Sequence, residues 1–332
     1  MGTTVRVAVA SEAWPLPADT SMFTYGRDTL EALRANGVDA FPLALSSSRG
    51  ARIGGLLLPL LRRTFGRYHV PSGTLVHQVT PNTLRGVDVV TIQDFSPFYE
   101  TRVPDAFFRN QIRVAFRRAQ RVVLTTDWSR RDAVERFPQY RDKFRVVPVP
   151  LRTPPPGIGP VEYDALWIGR SSPNKDLPLY VELAARFPTL RFAVRSSKSP
   201  GRDAYDREVR ELLGRTKNVV EVPRQTEEGF DRLLRASPIL VVTSRYEGFH
   251  IPAMEAYLRG AKLVLPRIEP FLEIYPNDAV FWYASAAGVE PLATAFEEAR
   301  KSPFRPPDRE VVDRVSLGRV GRSLKEIYSE IV

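Results

Sequence analysis

The chain has 332 residues, 43% hydrophobic and 26% charged, enough for about two domains with buried cores and too apolar for disorder as its main state. It has no cysteine and only three histidines (His69, His77 and His250), which excludes disulfides, zinc–thiolate sites, iron–sulfur clusters and cysteine nucleophiles and argues against a histidine-rich metal centre. No apolar run of about 18 residues marks a membrane span, residues 1–10 lack a secretory pattern, and the net charge of +10 makes a nucleic-acid partner the first idea to check.

Short apolar runs alternate with longer amphipathic ones, the signature of βαβ units and a parallel sheet. Val5–Ala10 reads as a buried strand, followed by a proline-bearing loop and a helix from about Thr20 to Ala35, closed by Asn36-Gly37. Further strands are predicted at Ala40–Leu43, Leu75–Val79, Val87–Thr91, Val122–Thr125 and Phe144–Val149, with helices near Asp105–Arg118 and Ser129–Phe137. These form a first doubly wound domain over residues 1–150. Pro148, Pro150 and Pro154-Pro155-Pro156 then make a stiff linker. The rhythm restarts with strands at Tyr163–Ile168, Arg191–Val194, Val219–Val222, Ile239–Thr243 and Lys262–Leu265. Helices fit from Leu177 and at Tyr205–Leu213, Glu227–Arg235, Pro252–Arg259, Pro291–Lys301 and Gly318–Ile331. The expected architecture is α/β: two doubly wound, Rossmann-like domains facing a cleft, with ligands at the carboxyl ends of the strands.

Two polar clusters sit directly after predicted strands. The denser one runs from Ser244 to Ala256 and includes Glu247, Gly248, Phe249, His250, Ile251, Pro252 and Glu255. Pro252 suits the first turn of a helix, so this loop feeds a helix N-terminus whose free N–H groups attract anions. Gly248 allows close backbone approach to a ligand. Two carboxylates eight residues apart can reach different parts of one elongated ligand; a capped helix with solvated acids is the plain alternative. The second cluster is Gly169-Arg170-Ser171-Ser172-Pro173-Asn174-Lys175-Asp176. Arg170 and Lys175 there suit a diphosphate, the one by its planar fork and the other as a point charge, with ordinary surface charge as the rival reading.

Taken together, Gly169-Arg170…Lys175, Glu247-Gly248-Phe249…Pro252…Glu255-Ala256 and Gly260 resemble the retaining GT-B glycosyltransferases typified by bacterial mannosyl- and glucosyltransferases, with Glu247 and Glu255 as their E-x7-E pair. Val89–Phe98, Arg121–Ser129 and Phe144–Pro148 resemble further pieces of that family in the same order, so the likeness runs through most of the chain. The resemblance implies a hexosyltransferase that moves mannose or glucose from a nucleotide-diphosphate sugar to a glycan or lipid-linked acceptor, with retention and without cofactor or metal. It implies that Arg170 and Lys175 hold the diphosphate and stabilise the leaving group, with Gly169 and Ser244 beside them. Glu247 would take donor-sugar hydroxyls, Gly248 and the backbone of Phe249, His250 and Ile251 would contact the diphosphate, and Glu255 would hold the ribose. It also implies that the last helix, about 316–332, crosses back to the first domain, leaving 151–315 as the donor domain.

The sequence departs from the family in places. Gln93 stands where histidine is usual near the reacting sugar, and glutamine cannot shuttle a proton near neutral pH. Asp94 is the neighbouring carboxylate, with a turn cap as its alternative role. The glycine-rich first loop is reduced to Thr24-Tyr25-Gly26, which face donor or acceptor on one reading and pack or cap the helix on the other. His250 replaces a glycine, and His77 either lines the cleft or is a satisfied core histidine. These departures keep open a second reading, a GT-B-fold glycan- or nucleotide-binding protein with impaired catalysis.

Residues 1–160 carry 22 Lys and Arg against 13 Asp and Glu, while the remainder is nearly neutral. Two acid-free segments hold much of the excess, Arg49–Arg67 around Leu56–Leu61 and Arg109–Arg121 with arginines every four residues. Both suit peripheral contact with an anionic membrane, on the cytoplasmic side, or else a solvated face; no nucleic-acid recognition module accompanies them.

Overall fold

A computed structural model describes residues 5–11, 21–44, 68–81, 85–99, 103–198 and 203–332. Among them the chain divides into two compact units, one reaching Arg152 and including Asp313–Val332, the other Thr153–Val312. The leucine-centred segment Arg49–Arg67 lies outside the described residues.

The first unit is built from β1 (Arg6–Ser11), α1 (Ser21–Ala35), β2 (Asp39–Ala44), β3 (Thr74–Gln78), β4 (Val89–Ile92), α2 (Ser96–Tyr99), α3 (Val103–Arg118), β5 (Arg121–Leu124), α4 (Asp127–Arg136) and β6 (Phe144–Val146). Its described strands form one parallel sheet in the order β2-β1-β3-β4-β5-β6. The chain leaves β1 toward β2 and returns on the other side as β3, so the switch point lies between β1 and β3. Apolar residues from Val7 to Ala10 are wholly buried, as expected for a central parallel strand covered on both faces.

The second unit contains β7 (Ala165–Ser171), α5 (Leu177–Arg186), β8 (Phe192–Lys198), α6 (Asp203–Arg215), β9 (Val219–Glu221), α7 (Glu227–Arg235), β10 (Ile239–Val241), α8 (Ile251–Leu258), β11 (Lys262–Pro266), α9 (Phe271–Ile274), β12 (Phe281–Tyr283) and α10 (Val289–Lys301). Its parallel sheet runs β12-β11-β10-β7-β8-β9, which places the switch point between β7 and β10, where Leu240 pairs with Leu166. Tyr180, Phe192 and Phe296 are buried in the core on one face of this sheet.

After α11 (Arg309–Val315), helix α12 (Leu317–Ser329) packs on α1 in the first unit. Val320, Leu324, Ile327 and Tyr328 recur at helical spacing and are buried. Gly321 lets the two backbones touch: a Cβ there would lie 2.1 Å from the Ala32 carbonyl oxygen. Leu151 donates its N–H to Val315 at 2.8 Å, tying the chain's two passages together inside this unit.

The arginine stripe is shorter than the spacing suggests. Helix α3 ends at Arg118, and Arg121 instead opens β5, where Glu330 pairs with it at 2.7 Å. Ile112 and Ala115 on this helix are buried, whereas Phe108 is 44% exposed. No described helix is long and apolar enough to cross a membrane.

Candidate active site

The second switch point is where the two polar clusters meet. Asn174 and Arg245 join them: the Arg245 N–H donates to the Asn174 carbonyl at 2.8 Å, and Asn174 Nδ2 donates to the Tyr246 carbonyl at 3.0 Å. Thr243 Oγ1 accepts from Trp167 Nε1 at 2.9 Å and donates to the Lys175 carbonyl at 2.7 Å. The β7 and β10 loops are thereby held in one arrangement, with Lys175 fixed by its backbone.

From this frame Lys175 Nζ pairs with Glu247 Oε1, the two side chains being 14% and 7% exposed. Burial pushes the Glu247 carboxyl up, but the charges of Lys175 and His250 and hydrogen bonds from Lys175 and Ser244 outweigh it, so its pKa falls below the usual range. Arg170 stands exposed near the carboxyl end of β7, five residues before Lys175 in the chain, with no acidic partner among the described residues. Ser171 ends the strand with its Oγ buried and without a hydrogen-bond partner, a polar atom that the sequence reading passed over.

His250 caps α8. Its backbone lies in the left-handed region at φ 62°, the conformation the missing glycine would take, and a non-glycine residue there costs roughly 1–2 kcal/mol. The side chain offsets part of that cost: Nδ1 accepts the Ala253 N–H at 3.1 Å. An accepting Nδ1 puts the ring proton of the neutral form on Nε2, which lies 3.7 Å from Glu247 Oε1. Burial lowers the His250 pKa to about 4, so the ring is neutral near pH 7.

Phe249 and Ile251 are 5% exposed and belong to the packing. Gly248 is buried, as is Ser244. Gly169 has a mechanical reason: a Cβ there would lie 2.8 Å from the Trp167 ring. Glu255 lies one turn into α8 rather than in its first turn, because the helix starts at Ile251; it is half-buried and its charge acts on Arg195. Arg195 also donates to Gln225 at 3.1 Å and covers the Phe230 ring at 4.7 Å.

Candidates in the first unit are placed differently. Thr24, Tyr25 and Gly26 lie on α1 and are buried rather than forming a loop. The Tyr25 hydroxyl is 3.1 Å from Thr91 Oγ1, and burial pushes its pKa up to about 12. His77 is wholly buried, with Nδ1 2.6 Å from the Tyr328 hydroxyl and Nε2 2.8 Å from Thr91 Oγ1, and burial lowers its pKa to about 3. These residues lock α1, β3, β4 and α12 together. Gln93 follows β4 with Nε2 buried and unpartnered, while Asp94 accepts the Ser96 N–H at 2.9 Å and caps α2.

No family model matches this chain, and no curated protein matches it by sequence. Its fold does have counterparts among solved structures. Sucrose-phosphate synthase from Thermosynechococcus elongatus superposes with a TM-score of 0.74 at 14% identity, over 98% of this chain and 99% of that one. The catalytic domain of starch synthase IV from Arabidopsis thaliana, bound to ADP and acarbose, gives 0.69 at 12% identity over 99% of each chain. HepE from Anabaena, in complex with UDP and glucose, gives 0.68 at 13% identity over 98% of this chain and all of that one. The fold is therefore GT-B, two Rossmann-like domains each with a six-stranded parallel sheet.

Proposed function

We propose that the protein is a retaining glycosyltransferase that moves a hexose, mannose or glucose, from a nucleotide-diphosphate sugar to a glycan or lipid-linked acceptor. The observation that carries this reading is the largely buried Lys175–Glu247 pair at the second switch point, with Arg170 exposed at the end of the same strand that leads to Lys175. An elongated anionic donor fits the chemistry of that strand edge from one end to the other. Arg170 and Lys175 meet the diphosphate and stabilise the charge that grows on it as the glycosidic bond breaks. Glu247, ionised, accepts hydrogen bonds from sugar hydroxyls. His250, neutral, does not compete with Lys175 for the phosphates. Glu255 takes the ribose hydroxyls. Two cations placed on the diphosphate do the work of a divalent ion, so the reaction runs without metal.

Gln93 in place of histidine does not stop a front-face reaction, since the departing phosphate oxygen takes the acceptor's proton. The HepE and starch synthase structures, bound to UDP with glucose and to ADP with acarbose, support a donor of this chemical class. Exposed Arg113 and Arg117 on α3 support peripheral contact with anionic lipid on the cytoplasmic face, where a lipid-linked acceptor would be met.

The test is transfer and donor hydrolysis with UDP-, GDP- and ADP-hexoses, with and without chelator, for the parent, Arg170→Ala and Glu247→Ala. Turnover in the parent and its loss in both folded variants is expected. Near-normal turnover in either variant rejects the site. Tight nucleotide binding without turnover on any acceptor supports the binding-protein reading that Gln93 keeps open.

A further inference from the structure

The loop between β7 and α5 carries a strained residue whose side chain serves another loop. Asp176, directly after Lys175, has a left-handed backbone at φ 46° and ψ 51°, a conformation that glycine adopts freely and aspartate only at a cost. It occupies the N-cap position of α5, where an aspartate ordinarily accepts an N–H of the first turn, yet its side chain makes no capping hydrogen bond. The carboxylate is turned to Arg245 instead, whose Nε and Nη2 both donate to Oδ2, at 3.0 and 2.8 Å.

Stability does not account for this choice. The Arg245 and Asp176 side chains are 70% and 18% exposed, and an ion pair so open to water adds little to folding. Glycine at position 176 would remove the strain; what the aspartate supplies is a tether, and the place of the tether gives its purpose. Arg245 holds both neighbours of Lys175: its backbone N–H donates to the Asn174 carbonyl at 2.8 Å, and its guanidinium holds Asp176. It also stands two residues before Glu247, the partner of the Lys175 ammonium. Strain kept at such a place belongs to function rather than to folding.

We propose that Asp176 and Arg245 are positioning residues, an ion pair that brackets Lys175 and sets the reach of its ammonium toward Glu247 and the diphosphate of a bound donor. The donor half of this statement rests on the glycosyltransferase reading, and the bracket itself on the bonds above. Stability and function should then run in opposite orders. Asp176→Gly relieves the backbone and cuts the tether. Asp176→Asn keeps a side chain that tolerates the left-handed region and still accepts from Arg245. Arg245→Met cuts the tether from the other side and leaves the backbone N–H in place.

The experiment uses the full chain. Denaturant unfolding gives stability, hydrogen exchange read by mass spectrometry over residues 172–178 and 243–248 gives the order of the two loops, and hydrolysis of UDP-glucose, ADP-glucose and GDP-mannose gives turnover. Asp176→Gly is expected to be as stable as the parent or more so, yet to lose protection in both loops and to lower kcat about tenfold or more with KM little changed, since Lys175 acts on charge that develops as the bond breaks. Arg245→Met should match it in exchange and turnover, and Asp176→Asn should restore most of both. Parent-like protection or kcat in Asp176→Gly, a fall in its stability that accompanies the loss of protection, or no recovery in Asp176→Asn overturns the proposal. Absence of turnover in the parent counts against the glycosyltransferase reading alone, and exchange and stability still decide the bracket.

Discussion

Replacing Lys175 by methionine tests the core of the site. The side chain keeps its length and loses its charge, and Glu247 stays buried with its main counter-charge gone. Breaking a buried ion pair from one side typically costs about 3–5 kcal/mol, a large share of the roughly 5–15 kcal/mol that holds an ordinary domain. Here the loss should depend on pH in a defined direction. In the parent, the Glu247 pKa is depressed, so its contribution is present above the ordinary carboxyl range and fades as pH falls through the lowered value. In Lys175→Met, burial acts with less opposition and the pKa rises. The folded variant then binds a proton that the unfolded chain releases, and the loss relative to the parent grows by about 1.4 kcal/mol per pH unit between the two values. Protonation of His250 beside Glu247 limits the loss, because an imidazolium 3.7 Å away partly replaces the ammonium. Denaturant unfolding at pH 7.5 and pH 4.5, followed by circular dichroism and tryptophan fluorescence, measures both terms. Lys175→Met/Glu247→Gln should recover most of the stability at pH 7.5. Equal losses at both pH values, or no recovery in the double variant, would refute the reasoning.

Acid should destabilise the protein through two buried histidines. His77 and His250 have pKa values lowered to about 3 and about 4 from an ordinary value near 6.5, so the stability tied to their neutral forms is present above pH 6.5 and declines as pH falls toward those values, by about 1.4 kcal/mol per unit for each ring. His77→Gln should flatten that slope in unfolding titrations between pH 6.5 and 4. Gly321→Val should cost more than about 2 kcal/mol and release amide protection in α12, read by hydrogen exchange, because its Cβ meets backbone rather than a movable side chain. Ser171→Ala removes a buried hydroxyl that has no partner, so stability should hold while nucleotide-sugar affinity falls about tenfold in calorimetric titration. Arg113→Glu/Arg117→Glu should abolish flotation with anionic vesicles, and unchanged flotation would remove α3 from the membrane reading.

Much of the fold was legible because a parallel sheet writes itself as apolar runs. Val7–Ala10 and Leu263–Leu265 read as buried strands, and Asn36-Gly37 closes α1 with glycine at φ 72°. Elements of three or four residues were not legible. Phe281–Tyr283 is a strand only because β11 pairs with it, and Phe271–Ile274 is a single turn. In the site, Arg170, Lys175, Glu247 and Glu255 stood out as charges after strands. Ser171, Thr243 and Asn174 did not, because a serine, threonine or asparagine after a strand looks like any loop residue until its partners are known. For Tyr25 and His77 the sequence leaves a ligand contact and core packing open, and the fold takes the second, occupying their polar atoms with Thr91 and Tyr328.

Charge shows why a domain's total is a poor guide to its site. The arginine-rich first unit spends much of its charge on structure: Arg6 on Asp39, Arg27 on Asp28, Arg136 on Asp132, Arg152 on Glu31, and Arg121 and Arg145 on Glu330, whose carboxyl they hold at about 2. In the nearly neutral second unit, acids and bases cancel in the sum, yet a lysine and a glutamate are paired largely out of water at the switch point. Burial decides this difference. A carboxylate and an ammonium removed from water act on a ligand through a low dielectric, whereas a surface arginine acts through water and salt. One lysine held largely out of water in a neutral domain can therefore act on an anion more strongly than a larger exposed excess.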